Sequence, residues 1–120
     1  MPGHTPGGIC ILIREDRLLI TGDSINRHLW MQLKGCTSLR AYAARLEAIR
    51  PVTERADLIL HGHASGAEPI SLFDDMLRGV KEVAEGHTEE DTDYQWFGGT
   101  ARQHRFAENS VIVYDPALQE

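Results

Sequence analysis

Ile9-Cys10-Ile11-Leu12-Ile13, followed by Leu18-Leu19-Ile20-Thr21-Gly22-Asp23, is the stretch that decides the fold. Both runs are short, apolar and rich in branched side chains, and Glu15-Asp16 between them marks a tight turn. Residues 8 to 22 are therefore expected to form a hairpin. The first run is almost continuously apolar, the pattern of a strand covered on both faces. Pro2-Gly3-His4-Thr5-Pro6-Gly7-Gly8 leads into this hairpin, and Gly22-Asp23 ends it.

Working outward, residues 24–36 show no clear period and are expected to be a loop carrying His28, Trp30 and Met31. A helix follows, with Thr37 or Ser38 as its cap. Leu39, Tyr42, Ala43, Leu46 and Ile49 share one face at helical spacing, and Pro51 bounds the helix. Asp57-Leu58-Ile59-Leu60 reads as a third strand, ending at His61-Gly62-His63. Pro69 suits the first position of a second helix, with Leu72, Phe73, Met76, Val80 and Val83 apolar and Gly86 as its stop. Residues 86–95 are expected to be a solvated acidic loop, and residues 96–120 a terminal hairpin turning at Glu108-Asn109.

The order β-β-α-β-α-β-β over residues 1–120 predicts one domain of α/β type, more strictly α+β. Its mixed sheet carries helices on one face. The other face is left bare and has to find a partner.

A net charge of −6, with no basic cluster to offset it, argues against a nucleic-acid partner. The longest apolar runs are far too short to span a bilayer, so no membrane association is expected. The N-terminus lacks the order of a signal peptide, and two cysteines make no disulfide framework. Those features predict a cytoplasmic protein with reduced thiols. Nucleophile-elbow, phosphate-loop and dinucleotide motifs are absent from the sequence.

The chemistry lies at strand ends, where a rigid scaffold can hold ligands at fixed separations. His4, Asp23 and His63 are the candidate metal ligands, each beside a glycine that permits a sharp turn or a close approach. Imidazoles with a carboxylate suit zinc, with manganese or iron as alternatives. His28 and Trp30 lie in the loop after Asp23, where solvated or core-packing roles are the plainer expectation. His104 reads as a surface residue, His87 as a border of the acidic loop, and Asp74 and Asp75 as favourable charges at a helix start.

Pro2-Gly3-His4-Thr5-Pro6-Gly7, Thr21-Gly22-Asp23 and Gly62-His63, in that order, resemble the second half of the metallo-β-lactamase-fold hydrolases. The resemblance covers residues 1 to roughly 85. It implies that His4 binds a first metal, Asp23 bridges two, and His63 binds the second, with His28, Trp30 and His61 at a substrate pocket. The family's usual Pro-Gly before the last histidine is His61-Gly62 here, which makes His61 either a supporting group or a competing ligand. The upstream His-x-His-x-Asp-His signature is absent from these residues.

The resemblance thus implies half of an αβ/βα sandwich, its bare sheet face being the surface the other half covers. Three ligands shared by two metals are too few for tight binding, since one catalytic zinc commonly takes three. The isolated half is expected to be a weak or inactive hydrolase of small esters, thioesters or phosphoesters. An N-terminal half from another chain or the uncut parent, or a homodimer joined sheet face to sheet face, could complete it. The alternative is a non-catalytic truncated module that folds by self-association.

Overall fold

The hairpin forms and opens the first of two sheets. The computed structural model describes residues 9–33, 35–62 and 66–118. Strand β1 (Ile11–Ile13) pairs antiparallel with β2 (Leu18–Gly22) through a turn in which Arg17 adopts a left-handed φ of 47°. Strand β4 (Leu58–His61) lies parallel to β2, and the short β5 (Glu68–Pro69) completes the order β1-β2-β4-β5.

The helices form where the apolar spacing places them. Helix α1 (Leu39–Ala48) starts at Ser38, whose Oγ accepts the Ala41 amide at 3.1 Å. It stops one residue short of the brief α2 (Arg50–Thr53), which takes Pro51 into its first turn. Helix α3 (Ser71–Ala84) buries Leu72, Phe73, Met76, Val80 and Val83, and Gly86 ends it at a φ of +85°. Pro69 does not begin this helix; it lies in β5, two residues before the first helical position.

The single sheet expected from sequence is in fact two. Part of the expected loop at residues 24–36 is strand β3 (His28–Met31), which pairs parallel with β8 (Ser110–Tyr114). Part of the expected acidic loop is β6 (Thr92–Trp96), which pairs with β7 (Gly99–Ala107). The terminal hairpin is therefore a three-stranded meander, and its last turn falls at Glu108-Asn109, with Asn109 at a φ of 55°. The second sheet has the order β3-β8-β7-β6.

One apolar cluster joins the inner faces of both sheets to α1 and α3. Leu19, Leu29, Leu39, Tyr42, Ile59, Met76 and Ile112 are each at most 1% exposed within it. Among the described residues the outer face of the first sheet is only partly covered. The register places Ile11, Ile20 and Leu60, with Ile13, Leu18 and Leu58, on one side. Ile11 is 51% exposed, Leu58 40% and Leu60 36%. Strand β1 is thus covered on one face only, and its continuous apolar run reflects an open surface. Among the described residues no helix is long and apolar enough to cross a membrane.

Candidate functional site

Parallel pairing of β2 with β4 decides what the strand ends bring together. Gly22 sits opposite His61, and the Gly62 amide donates to the Gly22 carbonyl at 2.8 Å. Gly22 takes a φ of +56°, a left-handed turn that carries the chain out of β2 into Asp23. The Asp23 carboxylate then lies against Gly62, with Oδ1 2.8 Å from where a Cβ on that glycine would be.

The loop behind Asp23 is held from several sides. Asn26 Nδ2 donates to the Asp23 carbonyl at 2.8 Å, and the His28 amide donates to Asn26 Oδ1 at 2.6 Å. Thr21 Oγ1 donates to the Ile25 carbonyl at 2.7 Å, and the Tyr42 hydroxyl donates to the Ser24 carbonyl. Ser24, Ile25 and Asn26 are buried, while Asp23 itself faces solvent. An exposed carboxylate thus stands on a buried, hydrogen-bonded base.

His61 has a different fate. It follows Ile59 on the inner face of β4, and its side chain is only 2% exposed. Its Nε2 donates to Oε2 of Glu68, whose Oε1 accepts Nε of Arg27. Arg27 Nη1 in turn donates to Ser110 Oγ at 2.9 Å. Partial burial pushes the Glu68 carboxyl up, but hydrogen bonds from His61 and Arg27, with their charge, outweigh it and hold the group below its usual range. Glu68 carried no motif in the sequence.

His4 and His63, the other expected ligands, lie outside the described residues, as does the Pro2–Gly8 string. Among the described residues no group of three His, Cys, Asp or Glu side chains could hold a metal ion.

His28 and Trp30 join a different cluster. Both lie on the outer face of β3, with ring centroids 6.2 Å apart. Tyr94 of β6 stands 5.7 Å from His28 and 6.1 Å from Trp30, and Trp96 stands 5.9 Å from Trp30. Strands β3 and β6 are opposite edges of their sheet. The rings therefore arch across the sheet, above the buried Val113 and Ala101, and pair edge to face.

His104 is not a surface residue. It is 9% exposed, with Nδ1 2.6 Å from Asp91 Oδ1 and Nε2 3.0 Å from Glu82 Oε1. The Tyr114 hydroxyl donates to the other Asp91 oxygen, and Arg102 Nη2 donates to the Asp91 carbonyl at 2.7 Å. Burial pulls the imidazole down, but hydrogen bonds to Glu82 and Asp91 and their negative charge raise it overall. Asp91, read from sequence as part of a solvated loop, has a side chain only 2% exposed. A cleft of about 350 Å³, lined in part by Asp91, Thr92, Gln103, His104 and Arg105, opens beside this network. Burial pushes the thiols of Cys10 and Cys36 up, which keeps them protonated.

No model of a known protein family matches the chain, and a search of curated proteins finds no match either.

Proposed function

We propose that this chain is the C-terminal half of a metal-dependent hydrolase of metallo-β-lactamase fold, weakly active or inactive alone. The observation that carries the reading is the parallel register of β2 on β4, which sets Gly22-Asp23 beside His61-Gly62. His4, Asp23 and His63 are the proposed ligands, and zinc the proposed metal, with manganese or iron as alternatives. A metal bound there would act as a Lewis acid and lower the pKa of a coordinated water. Asp23 supplies a fixed, exposed carboxylate on a braced loop. The substrate class is a small ester, thioester or phosphoester, and the setting is the cytoplasm.

The test is elemental analysis of chain purified without added metal, together with hydrolysis of generic ester and phosphodiester substrates. Near-stoichiometric zinc, manganese or iron that disappears in a His4→Ala/His63→Ala double variant supports the reading. Absence of metal from the wild-type chain in zinc-supplemented buffer refutes it.

The exposed aliphatic face of the first sheet favours a second reading, a non-catalytic module that self-associates. Ile11, Leu58 and Leu60 need a cover, which a homodimer or an N-terminal half would provide. Sedimentation of the wild-type chain and an Ile11→Lys/Leu60→Lys variant tests this. A wild-type dimer that the substitutions dissociate supports a cover by a second copy. A monomer at every concentration refutes it.

A further inference from the structure

We propose that the outer face of the second sheet binds a proline-rich peptide with a basic end, an inference independent of the hydrolase reading. His28, Trp30, Tyr94 and Trp96 form a run of neighbouring rings on that face. Phe97 follows at the turn between β6 and β7, 5.0 Å from Trp96 and 90% exposed. From Tyr94 to Ala101 the chain carries no charge, and Asp93 and Arg102, just outside, pair with each other at 2.7 Å. The rings therefore present an uncharged aromatic surface.

Ring geometry selects the partner. Neighbouring planes cross at 65–81° with centroids 5.7–6.2 Å apart, so the surface is notched and has no flat platform. A sugar needs an aromatic face laid parallel to its own ring. Crossed rings instead suit a ridged ligand whose pyrrolidines wedge between them, and a polyproline II helix is such a ridge. It is also preformed, so little chain entropy is lost on docking. Strand β6 rises about 13 Å from Thr92 to Trp96, the length of about four residues of that helix.

Polar groups complete the match. Proline offers a carbonyl and no N–H, so an oligoproline backbone only accepts hydrogen bonds. Among the described residues the Tyr94 hydroxyl and Trp96 Nε1 have no hydrogen-bond partner, and both side chains are partly exposed donors. The cleft of about 350 Å³ continues the same face, since its Thr92, Gln103 and Arg105 share that side of the sheet with Tyr94 and Ala101. Arg105 is exposed and adds donors for further carbonyls. Glu90 lines the cleft with Glu89 beside it, a carboxylate pair for an arginine at the end of the peptide. The net charge of −6 attracts a basic partner in the same sense.

Both tryptophans of the chain stand in this cluster, so their fluorescence reads it directly. The probe is an acetylated oligoproline ending in arginine, titrated into the wild-type chain. A glycine-serine peptide of equal length with the same arginine, and an oligoproline ending in glutamate, are the controls. A saturable shift in emission is expected with the first peptide and none with the glycine-serine control. Phe97→Ala truncates a side chain that stands almost wholly in solvent, so the fold is kept. It is expected to weaken binding about tenfold at unchanged circular dichroism. Tyr94→Phe, which removes one donor, should weaken it about 2- to 10-fold. Glu90→Gln should reduce the preference for arginine over glutamate by about 2- to 5-fold.

No response to oligoproline, or an equal response to the glycine-serine peptide, overturns the inference. So does a response that Phe97→Ala and Tyr94→Phe leave unchanged, because binding then lies elsewhere. Emission that shifts with protein concentration alone means that a second copy covers the rings, which also refutes it. A response to maltohexaose without one to oligoproline assigns a sugar site in its place.

Discussion

The Asp23 carboxylate lies over Gly62 so closely that a Cβ at that glycine would come within 2.8 Å of Oδ1. Only the mobile end of a side chain stands in the way, and Gly62 is not held in a left-handed conformation. Gly62→Ala should therefore fold with a melting temperature close to wild type while pushing Asp23 aside. If the proposed site binds zinc, the expected signature is a loss of zinc affinity without a loss of stability, read by chelator competition and thermal denaturation. A matched fall in both would mean that the glycine serves packing alone.

Gly79 presents the opposite case. A Cβ there would overlap Cβ of Phe106 and lie 3.2 Å from Ile112 Cδ1, inside the closest approach of α3 to β7. Alanine would gain about 1 kcal/mol of helix propensity. Overpacking a rigid contact costs about 1–3 kcal/mol, and Phe106 Cβ cannot yield without moving its backbone. Gly79→Ala is expected to destabilise the fold, by about 1 kcal/mol net, in urea denaturation. An increase in stability would show that β7 is free to recede.

The network at His104 makes stability depend on pH. Glu82 from α3 and Asp91 ahead of β6 face the two ring nitrogens, and both are acceptors, so the bridge needs the imidazolium. Tyr114 and Arg102 hold Asp91 from β8 and β7. With the folded pKa raised, the contribution is complete below about 6.5, the ordinary histidine value. It is lost as pH rises through the raised folded value. The melting temperature of the wild type should fall relative to His104→Gln as pH rises above about 6.5 and through the raised folded value. Parallel pH profiles of the two proteins would exclude the bridge.

Gln32 is 4% exposed, and among the described residues neither its amide nitrogen nor its amide oxygen has a hydrogen-bond partner. An unsatisfied buried amide costs about 1–3 kcal/mol. Methionine has a similar length and no such demand, so Gln32→Met should raise the urea midpoint by the equivalent of about 1 kcal/mol. A lower midpoint would point to a water held by that amide.

Legibility in the sequence followed the range of the forces involved. The first hairpin, both long helices and β4 are written in apolar runs, caps and stops that act over a few residues. Strand β3 escaped notice because His28-Leu29-Trp30-Met31 is only four residues long and earns its strand character from β8, near the other end of the chain. Asp91 and His104 are illegible for the same reason. Each looks solvated in its own neighbourhood, and each is buried by the other across β6 and β7. At the candidate site, Asp23 and Gly62 were legible as strand ends, because parallel strands deliver their exits to one edge. Glu68 was not, since a single carboxylate before a proline has no local signature.

The pairing of β3 with β8 sets the order in which the chain can fold. Arg27 and Ser110, which meet at the start of that pairing, are 83 residues apart in sequence. Until the C-terminal meander has left the ribosome, β3 has no strand to join. Contacts this distant carry a large loop-closure cost before they return any stability. Synthesis from the N-terminus can therefore deposit the first sheet, α1 and the bonds of Thr21, Asn26 and Tyr42 early, but leaves Arg27 without Ser110 until β8 is made. A nascent chain stalled before β8 would hold its proposed metal carboxylate on an unfinished base.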